Sequence, residues 1–143
     1  MKKSVFLDTT IILDFFLDRT PFSDDAAQIF GLAADKEIKA YVSVLTISNC
    51  YYILRKLAGH AKVIRKLELL LTIVSVSKMD KHTVLDGLES KFKDFEDALQ
   101  YFSASSYPSI DVIITRNTKD FKHSEIAIMT PEIFLKSLAL SKA

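Results

Sequence analysis

Short apolar runs alternate with longer amphipathic stretches along the chain. The runs have the length of buried strands, and the run that ends at Ile114 is rich in β-branched residues. They predict strands at Ser4–Leu7, Ile38–Ser43, Val74–Ser77, Asp111–Thr115 and Ala127–Met129. Because strands that alternate with helices form a parallel sheet covered on both faces, we predict an α/β fold, a three-layer α/β/α sandwich with a central, mainly parallel sheet.

The amphipathic stretches predict the helices between these strands. Their apolar residues recur at helical spacing, and polar residues that cap helices stand near their starts. Thr9-Thr10, Ser23 and Asp94 are predicted caps, and Gly59 is predicted to end a helix. The predicted helical segments are Ile11–Leu17, Asp24–Ala34, Leu45–Lys56, Ala61–Leu71, Thr83–Leu88, Asp94–Ser105 and a last segment that starts at Thr130-Pro131.

Composition narrows the class of protein. The 143 residues carry 19 Lys and Arg against 18 Asp and Glu, which gives a net charge of +1. We expect a single domain over residues 1–143. The near-neutral charge argues against a protein that coats nucleic acid by bulk attraction, although not against one that cuts it at a small acidic site. Cys50 is the only cysteine, so an internal disulfide and a Cys-rich zinc site are excluded.

Polar side chains stand at the carboxyl ends of the predicted strands. Asp8 follows the first strand, Ser43 ends the second, and Thr115-Arg116-Asn117 lie at the end of the fourth, with Asp120 shortly after. Ligands of open parallel sheets bind beyond these ends, so several strands that converge on polar groups indicate a site. Taken singly, Asp8 is explained equally well as a helix N-cap.

The segment Lys91–Ala98 adds a second acidic feature. Asp94 and Asp97 are three residues apart and share one helix face, whereas Glu96 is expected to point elsewhere. Asp94 is also explained as the cap of this helix. A partly buried Asp97 near Asp8 would be repelled unless a cation lay between them. Because carboxylate, hydroxyl and amide oxygens suit Mg²⁺ or Mn²⁺, the pattern favours phosphodiester hydrolysis over acyl transfer.

Four ordered segments resemble the motifs of PIN domains. They are Val5–Asp14, Val42–Asn49, Asp94–Gln100 and Ile114–Phe121, and Thr130–Leu135 is similar to a common PIN-domain ending. The resemblance covers nearly the whole chain, and the third segment is similar to the bacterial branch that reads Asp-Phe-Glu-Asp-Ala. It implies an Mg²⁺- or Mn²⁺-dependent ribonuclease. In many bacterial members it also implies a VapC-like toxin of a toxin–antitoxin pair, commonly as a homodimer.

The resemblance assigns the acidic site residue by residue. Asp8 and Asp97 match metal-binding aspartates, and Asp94 and Asp120 are expected to reinforce them as metal ligands. Asn117 matches the fourth acidic position, where Asp120 is close enough in the sequence to replace it.

The second motif departs from the family pattern at Asn49, where many PIN ribonucleases carry Glu. An amide offers an oxygen but no negative charge, so metal affinity should fall and a two-metal mechanism becomes doubtful. Asn49 and Asn117 nevertheless join Asp8 and Asp97 as the expected catalytic residues. The residues expected to face the substrate are Thr115, Arg116 and Ser43.

Two hypotheses follow from these residues. The first is an Mg²⁺- or Mn²⁺-dependent endoribonuclease acting on RNA in the cytoplasm, held in check by an antitoxin if it is a toxin. Its homodimer is expected to use Thr10–Leu17 and Leu45–Lys56. The alternative is a degenerate PIN scaffold that binds RNA or a protein partner without cleavage, motivated by Asn49 and Asn117. No membrane partner is expected, because no apolar stretch approaches the roughly 20 residues that span a bilayer.

Overall fold

The computed structural model describes residues 2–142, which form five strands and seven α-helices. The strands are β1 (Lys3–Leu7), β2 (Ile38–Ser43), β3 (Val74–Ser77), β4 (Val112–Ile114) and β5 (Ala127–Met129). The helices are α1 (Thr9–Phe16), α2 (Ser23–Ala34), α3 (Val44–Ala58), α4 (His60–Leu70), α5 (Lys81–Glu89), α6 (Phe95–Ser105) and α7 (Pro131–Ser141). A 3₁₀ helix that the sequence pattern did not predict, Thr118–Phe121, follows β4. No helix within residues 2–142 is long and apolar enough to cross a membrane.

The strand order of the sheet creates a crevice next to its central strands. Every strand pairing is parallel, and the strand order is β3-β2-β1-β4-β5. The predicted α/β/α sandwich is therefore confirmed, with a sheet that is parallel throughout. Successive strands are added outward from the middle in both directions, so β1 and β4 flank a switch point where the following loops diverge and leave a crevice. Leu7 pairs with Ile114 in this register, which sets Asp8 beside Thr115 at the mouth of the crevice.

Side chains of the central strands alternate between two apolar layers. Val5 and Leu7 of β1 pack into the larger core with α1 to α4 and α7. Phe6 packs on the opposite face, with Tyr101 of α6 and Phe121 of the 3₁₀ helix. A strand that is apolar on both faces is what a covered parallel sheet requires. The connection after β1 therefore runs on one face of the sheet, and the connection after β4 begins on the other.

Helix ends agree with the predicted caps at several places and differ at two. Asp94 caps α6, and Gly59 ends α3 with a φ of 80°, both as predicted. The cap of α1 is Asp8, whose carboxylate accepts from the Thr9 amide, so the prediction of Thr9-Thr10 as the cap is wrong. Ser23 is the first residue of α2 and forms no capping hydrogen bond, so its prediction as a cap is also wrong.

Candidate active site

Asp8 is held rigidly at the crevice between β1 and β4. Its Oδ1 accepts from the Thr9 amide at 2.8 Å, and its Oδ2 accepts from Thr115 Oγ1 at 2.8 Å. The Asn117 amide in turn donates to Thr115 Oγ1 at 3.0 Å. The side chain of Asp8 is only 7% exposed, and this burial raises the pKa of Asp8, opposed by the two hydrogen bonds. The helix-cap explanation and the site explanation are thus compatible, because the cap fixes the carboxylate at the sheet edge.

Asp97 faces the same crevice from the first turn of α6. Its amide donates to Asp94 Oδ1 at 2.9 Å, so Asp94 both caps the helix and lies against Asp97. Burial is the largest cause that raises the pKa of Asp97 to about 7, followed by repulsion from Asp94, Asp120, Asp8 and Glu96. Repulsion from Asp120 and Glu96 also raises the pKa of Asp8. Carboxylates from three separate segments therefore converge on one place.

A buried polar network locks together the elements that carry these acids. Gln100 Nε2 donates to Thr9 Oγ1 and to Thr46 Oγ1, each at 3.0 Å. Gln100 Oε1 accepts from Ser43 Oγ, and the two threonine hydroxyls are 2.7 Å apart. Gln100 is 2% exposed, and the network joins α1, α3 and α6. Because unsatisfied polar groups in such a place are costly, the network fixes the spacing between Asp8 and α6.

Two residues predicted to face the substrate are instead positioning residues. Ser43 and Thr115 are both fully buried. Ser43 caps α3 and bonds to Gln100, while Thr115 donates to Asp8. A side chain with no exposed surface does not contact RNA, so the prediction is corrected for both. Their short hydroxyls stand at strand ends because that is where a helix cap or a carboxylate needs a donor or acceptor.

Glu96 lies in the site, contrary to the expectation that it points elsewhere. Asn49 Nδ2 of α3 donates to Glu96 Oε1 of α6, which draws the glutamate across the gap between the two helices. Asn49 is one helical turn after Thr46, on the helix face that carries the polar network. Glu96 is exposed, yet it is close enough to Asp8 and Asp97 to raise the pKa of each. Spacing within α6 alone does not reveal a contact made through a different helix.

Asp120 and Asn117 occupy different parts of the site. Asp120 lies on the 3₁₀ helix and repels both Asp8 and Asp97, whereas Asn117 contributes its backbone amide to the Thr115 hydroxyl. The geometry therefore favours Asp120 over Asn117 as the acid from this segment. A cavity of about 390 Å³ opens beside Asp97, and its lining residues are Lys93, Asp94, Asp97, Lys119, Asp120, Lys122 and His123. Lysines thus surround the acidic centre at its rim.

Arg116 forms an ion pair with the buried Asp14. Its Nε donates to Asp14 Oδ2 at 2.8 Å, and its Nη2 donates to Asp14 Oδ1 at 3.0 Å. The guanidinium carbon lies 3.8 Å from the centre of the Phe22 ring. Asp14 is 1% exposed and also contacts Arg19. This arrangement attaches the segment after β4 to α1 and gives Arg116 a structural role, while its predicted substrate contact stays a prediction.

The donor set fits a hard divalent cation. Carboxylates of Asp8, Asp97, Asp120 and Glu96 approach one another, and their mutual repulsion falls when a cation is bound. Within residues 2–142, no three His, Cys, Asp or Glu side chains are close enough to hold one ion directly. Mg²⁺ retains several waters and binds through one or two carboxylates plus substrate phosphate, so the fit does not need a closed cage.

Comparison with known proteins gives the family. A model of the PIN domain matches residues 4–119. The chain belongs to the PIN domain family. This PIN domain is 26% identical over 136 residues to ribonuclease VapC1 from Aquifex aeolicus (strain VF5), which covers 92% of this chain and 93% of that protein.

Solved structures share the fold of this PIN domain. One is VapBC2 from Rickettsia felis bound to a DNA fragment from their promoter, with a TM-score of 0.67, 16% identity, and coverage of 89% of this chain and 98% of that chain. Another is a toxin–antitoxin complex from Klebsiella pneumoniae, with a TM-score of 0.66, 21% identity, and coverage of 89% and 97%. At these identities the likeness establishes the fold of the PIN domain, and its chemistry has to be argued from the site.

Proposed function

We propose that this PIN domain is a metal-dependent endoribonuclease. The observation that carries the proposal is the convergence of Asp8 and Asp97, from separate elements, at the switch point of a parallel sheet. Within residues 2–142, neither carboxylate forms a salt bridge with Lys, Arg or His. Buried or half-buried carboxylates normally have a basic partner or a metal. The named ribonuclease among the relatives of this chain supports RNA as the substrate.

Each part of the site has a distinct role in this proposal. Asp8 and Asp97 would hold Mg²⁺ or Mn²⁺, with Asp120 as the third acid and Asp94 fixing the start of α6. When bound, the cation would supply Lewis acidity and neutralise phosphate charge. Thr115 and the Asn117 amide would keep the Asp8 carboxylate oriented.

The lysines at the rim would position RNA without reading its sequence. Lys93, Lys119 and Lys122 line the cavity beside Asp97, where they would contact phosphates next to the scissile one. Contacts to phosphate fix register and orientation, and they carry no sequence information directly. The proposed substrate class is therefore RNA with a flexible backbone that can enter the crevice.

A partner protein is the second part of the proposal. The fold matches chains solved in VapBC and toxin–antitoxin complexes, which supports an antitoxin for this protein as well. A homodimer through α3 is supported by exposed apolar side chains at Tyr52, Ile53 and Leu57. The same support is weaker for α1, where Ile11–Leu13 are buried. Expression of the chain alone should slow growth if it is a toxin, and normal growth at high expression would contradict that role.

Cleavage of RNA by the purified protein tests the activity. We expect Mn²⁺ or Mg²⁺ to support cleavage, EDTA to stop it, and Asp97→Asn to reduce the rate by about 100-fold or more, since loss of supporting groups alone costs about 10–100-fold at metal sites. Asp24→Asn, an exposed position in the first turn of α2, is the matched control and should leave the rate unchanged. Cleavage that persists in EDTA and in Asp97→Asn would refute the proposal.

A non-cleaving PIN scaffold that binds RNA or a protein is the second candidate. It is favoured by the amides at Asn49 and Asn117 in place of acids. Titration with Mn²⁺ separates the two functions, because the nuclease requires binding at millimolar concentration or tighter. RNA retained in a gel-shift assay with neither Mn²⁺ binding nor cleavage would favour the scaffold.

A further inference from the structure

The donor and the acceptor in the hydrogen bond between Asn49 and Glu96 are fixed by their chemistry. A carboxylate only accepts hydrogen bonds, so the Asn49 side chain must turn its Nδ2 toward Glu96. Within residues 2–142, Glu96 forms no ion pair and no second side-chain hydrogen bond, so its Oε2 has no protein partner. The amide therefore holds the Glu96 carboxylate through a donor that adds no positive charge of its own.

Two other exposed glutamates are paired with lysines. Glu132 pairs with Lys136 at 2.9 Å, and Glu37 pairs with Lys142 at 3.4 Å. Glu96 has Lys93 one turn away in the sequence, yet it contacts Asn49 and lies toward Asp8 and Asp97. An exposed glutamate is free to turn to water, so holding it toward like charges costs free energy unless a cation compensates.

We propose that Glu96, positioned by Asn49, supplies to the metal site the negative charge that α3 lacks. In this chain the charge lies on α6, and the amide on α3 is its positioning residue. This inference rests on the proposed metal-dependent function, because it concerns the same site. It also explains why an amide at position 49 need not leave the site one charge short.

Mn²⁺ affinity of the purified protein, measured by calorimetry, tests the inference directly. Glu96→Gln keeps an acceptor for the Asn49 amide and removes only the charge, so we expect Mn²⁺ binding to weaken about tenfold or more. Glu68→Gln, an exposed glutamate on α4, makes the same chemical change away from the site and should leave affinity unchanged. Thermal melting of each metal-free variant confirms that the fold is kept.

Reversing the pair is the sharper test. The double variant Asn49→Glu/Glu96→Gln returns the charge to α3 with the same net charge, and we expect it to recover Mn²⁺ affinity to within about threefold of the wild type. Asn49→Ala removes the tether only, so its effect should be smaller than that of Glu96→Gln.

Each other outcome overturns a defined part of the argument. If the wild type binds Mn²⁺ and Glu96→Gln binds equally well, Glu96 is not part of the site and the nuclease proposal stands. If Asn49→Ala weakens binding more than Glu96→Gln does, the amide itself is the ligand and the inference is wrong. If the wild type binds no Mn²⁺, the proposed function fails and the inference fails with it.

Discussion

Two buried aspartates at the start of the chain have opposite surroundings. Asp8 and Asp14 lie six residues apart, at the cap and within α1, and are 7% and 1% exposed. Asp14 has two arginines, with Arg116 in a two-point contact at 2.8 and 3.0 Å and Arg19 at 3.5 Å. Asp8 has a backbone amide and a hydroxyl, and its charged neighbours are Asp120 and Glu96.

The difference distinguishes a structural carboxylate, that of Asp14, from one with no basic partner in the fold, that of Asp8. The charge of Asp14 is compensated within the chain, so its burial is stable and its arginine partner ties α1 to the segment after β4. Within residues 2–142, no basic side chain forms an ion pair with Asp8, and burial raises its pKa. Under the proposed function, a cation from solution would compensate the charge of Asp8 in the way that Arg116 compensates that of Asp14.

Loss of Asp14 should have the largest effect on the fold. Asp14→Asn leaves the Arg116 guanidinium partly buried without its anion, and breaking such a pair costs about 3–5 kcal/mol. Urea denaturation should show this fall in the free energy of unfolding. Asp35→Asn, at an exposed helix end, is the matched control with little expected change. A loss below about 1 kcal/mol for Asp14→Asn would place the pair among ordinary surface contacts.

Loss of Asp8 should affect activity and spare the fold. Asp8→Asn keeps an acceptor for the α1 cap and a partner for Thr115, while it removes the charge whose burial raises the pKa of Asp8. We expect RNA cleavage to fall about 100-fold or more, which equals about 2.7 kcal/mol. Melting in EDTA should be at or above that of the wild type. A variant that unfolds like Asp14→Asn would erase the distinction between the two aspartates.

The sequence predicts where Asp8 and Asp14 lie in the fold but not which side chains pair with them. Alternating apolar runs identify all five strands, and a polar residue after a buried strand correctly marks Asp8. Asp14 stands out as a charge inside an apolar helix, yet its partner Arg116 is 102 residues away and is found only through the β1–β4 register. The sequence predicts that Ser43 and Thr115 lie at the carboxyl ends of strands. It does not predict that they are buried, because burial depends on which helices pack over them.

Glu96 and Gln100 show why part of the site escaped prediction. Gln100 lies one turn after Asp97, and helical spacing therefore places both side chains on the same face of α6. Glu96 is turned into the site by Asn49 from another helix, and no spacing rule within α6 reports that contact. The position of His123 on the cavity wall follows from the unpredicted 3₁₀ helix.

The metal-free protein should become less stable as pH rises, in contrast to a protein whose acids are all paired. The raised pKa values of Asp8 and Asp97 mean that the folded state holds protons more tightly than the unfolded state. Stability is then full below the unfolded pKa of about 4 and is lost as pH rises through the folded pKa of Asp97, about 7.

Melting in EDTA across this range measures the effect. Because Asp97 is only partly buried, screening limits the fall to the order of 1 kcal/mol, or about 2–4 °C in Tm. Asp97→Asn should flatten the slope, and Mn²⁺ should reverse it because the cation favours the ionised carboxylates. A metal-free Tm that rises between about pH 5 and pH 8 would show that the acids are already compensated within the chain.

Arg19, the more exposed of the two arginines that contact Asp14, gives the smallest expected effect. Arg19 is 38% exposed and makes one contact at 3.5 Å, so Arg19→Gln should cost less than about 1 kcal/mol in urea denaturation. Arg116→Gln should cost more, since the two-point contact and the Phe22 stack are lost together. If Arg19→Gln and Arg116→Gln lowered the free energy of unfolding equally, any nearby positive charge would stabilise Asp14, and the two-point geometry of Arg116 would add nothing. In that case a mobile ion at Asp8 would be an equally sufficient partner, and the contrast between the two aspartates would reduce to the source of the positive charge.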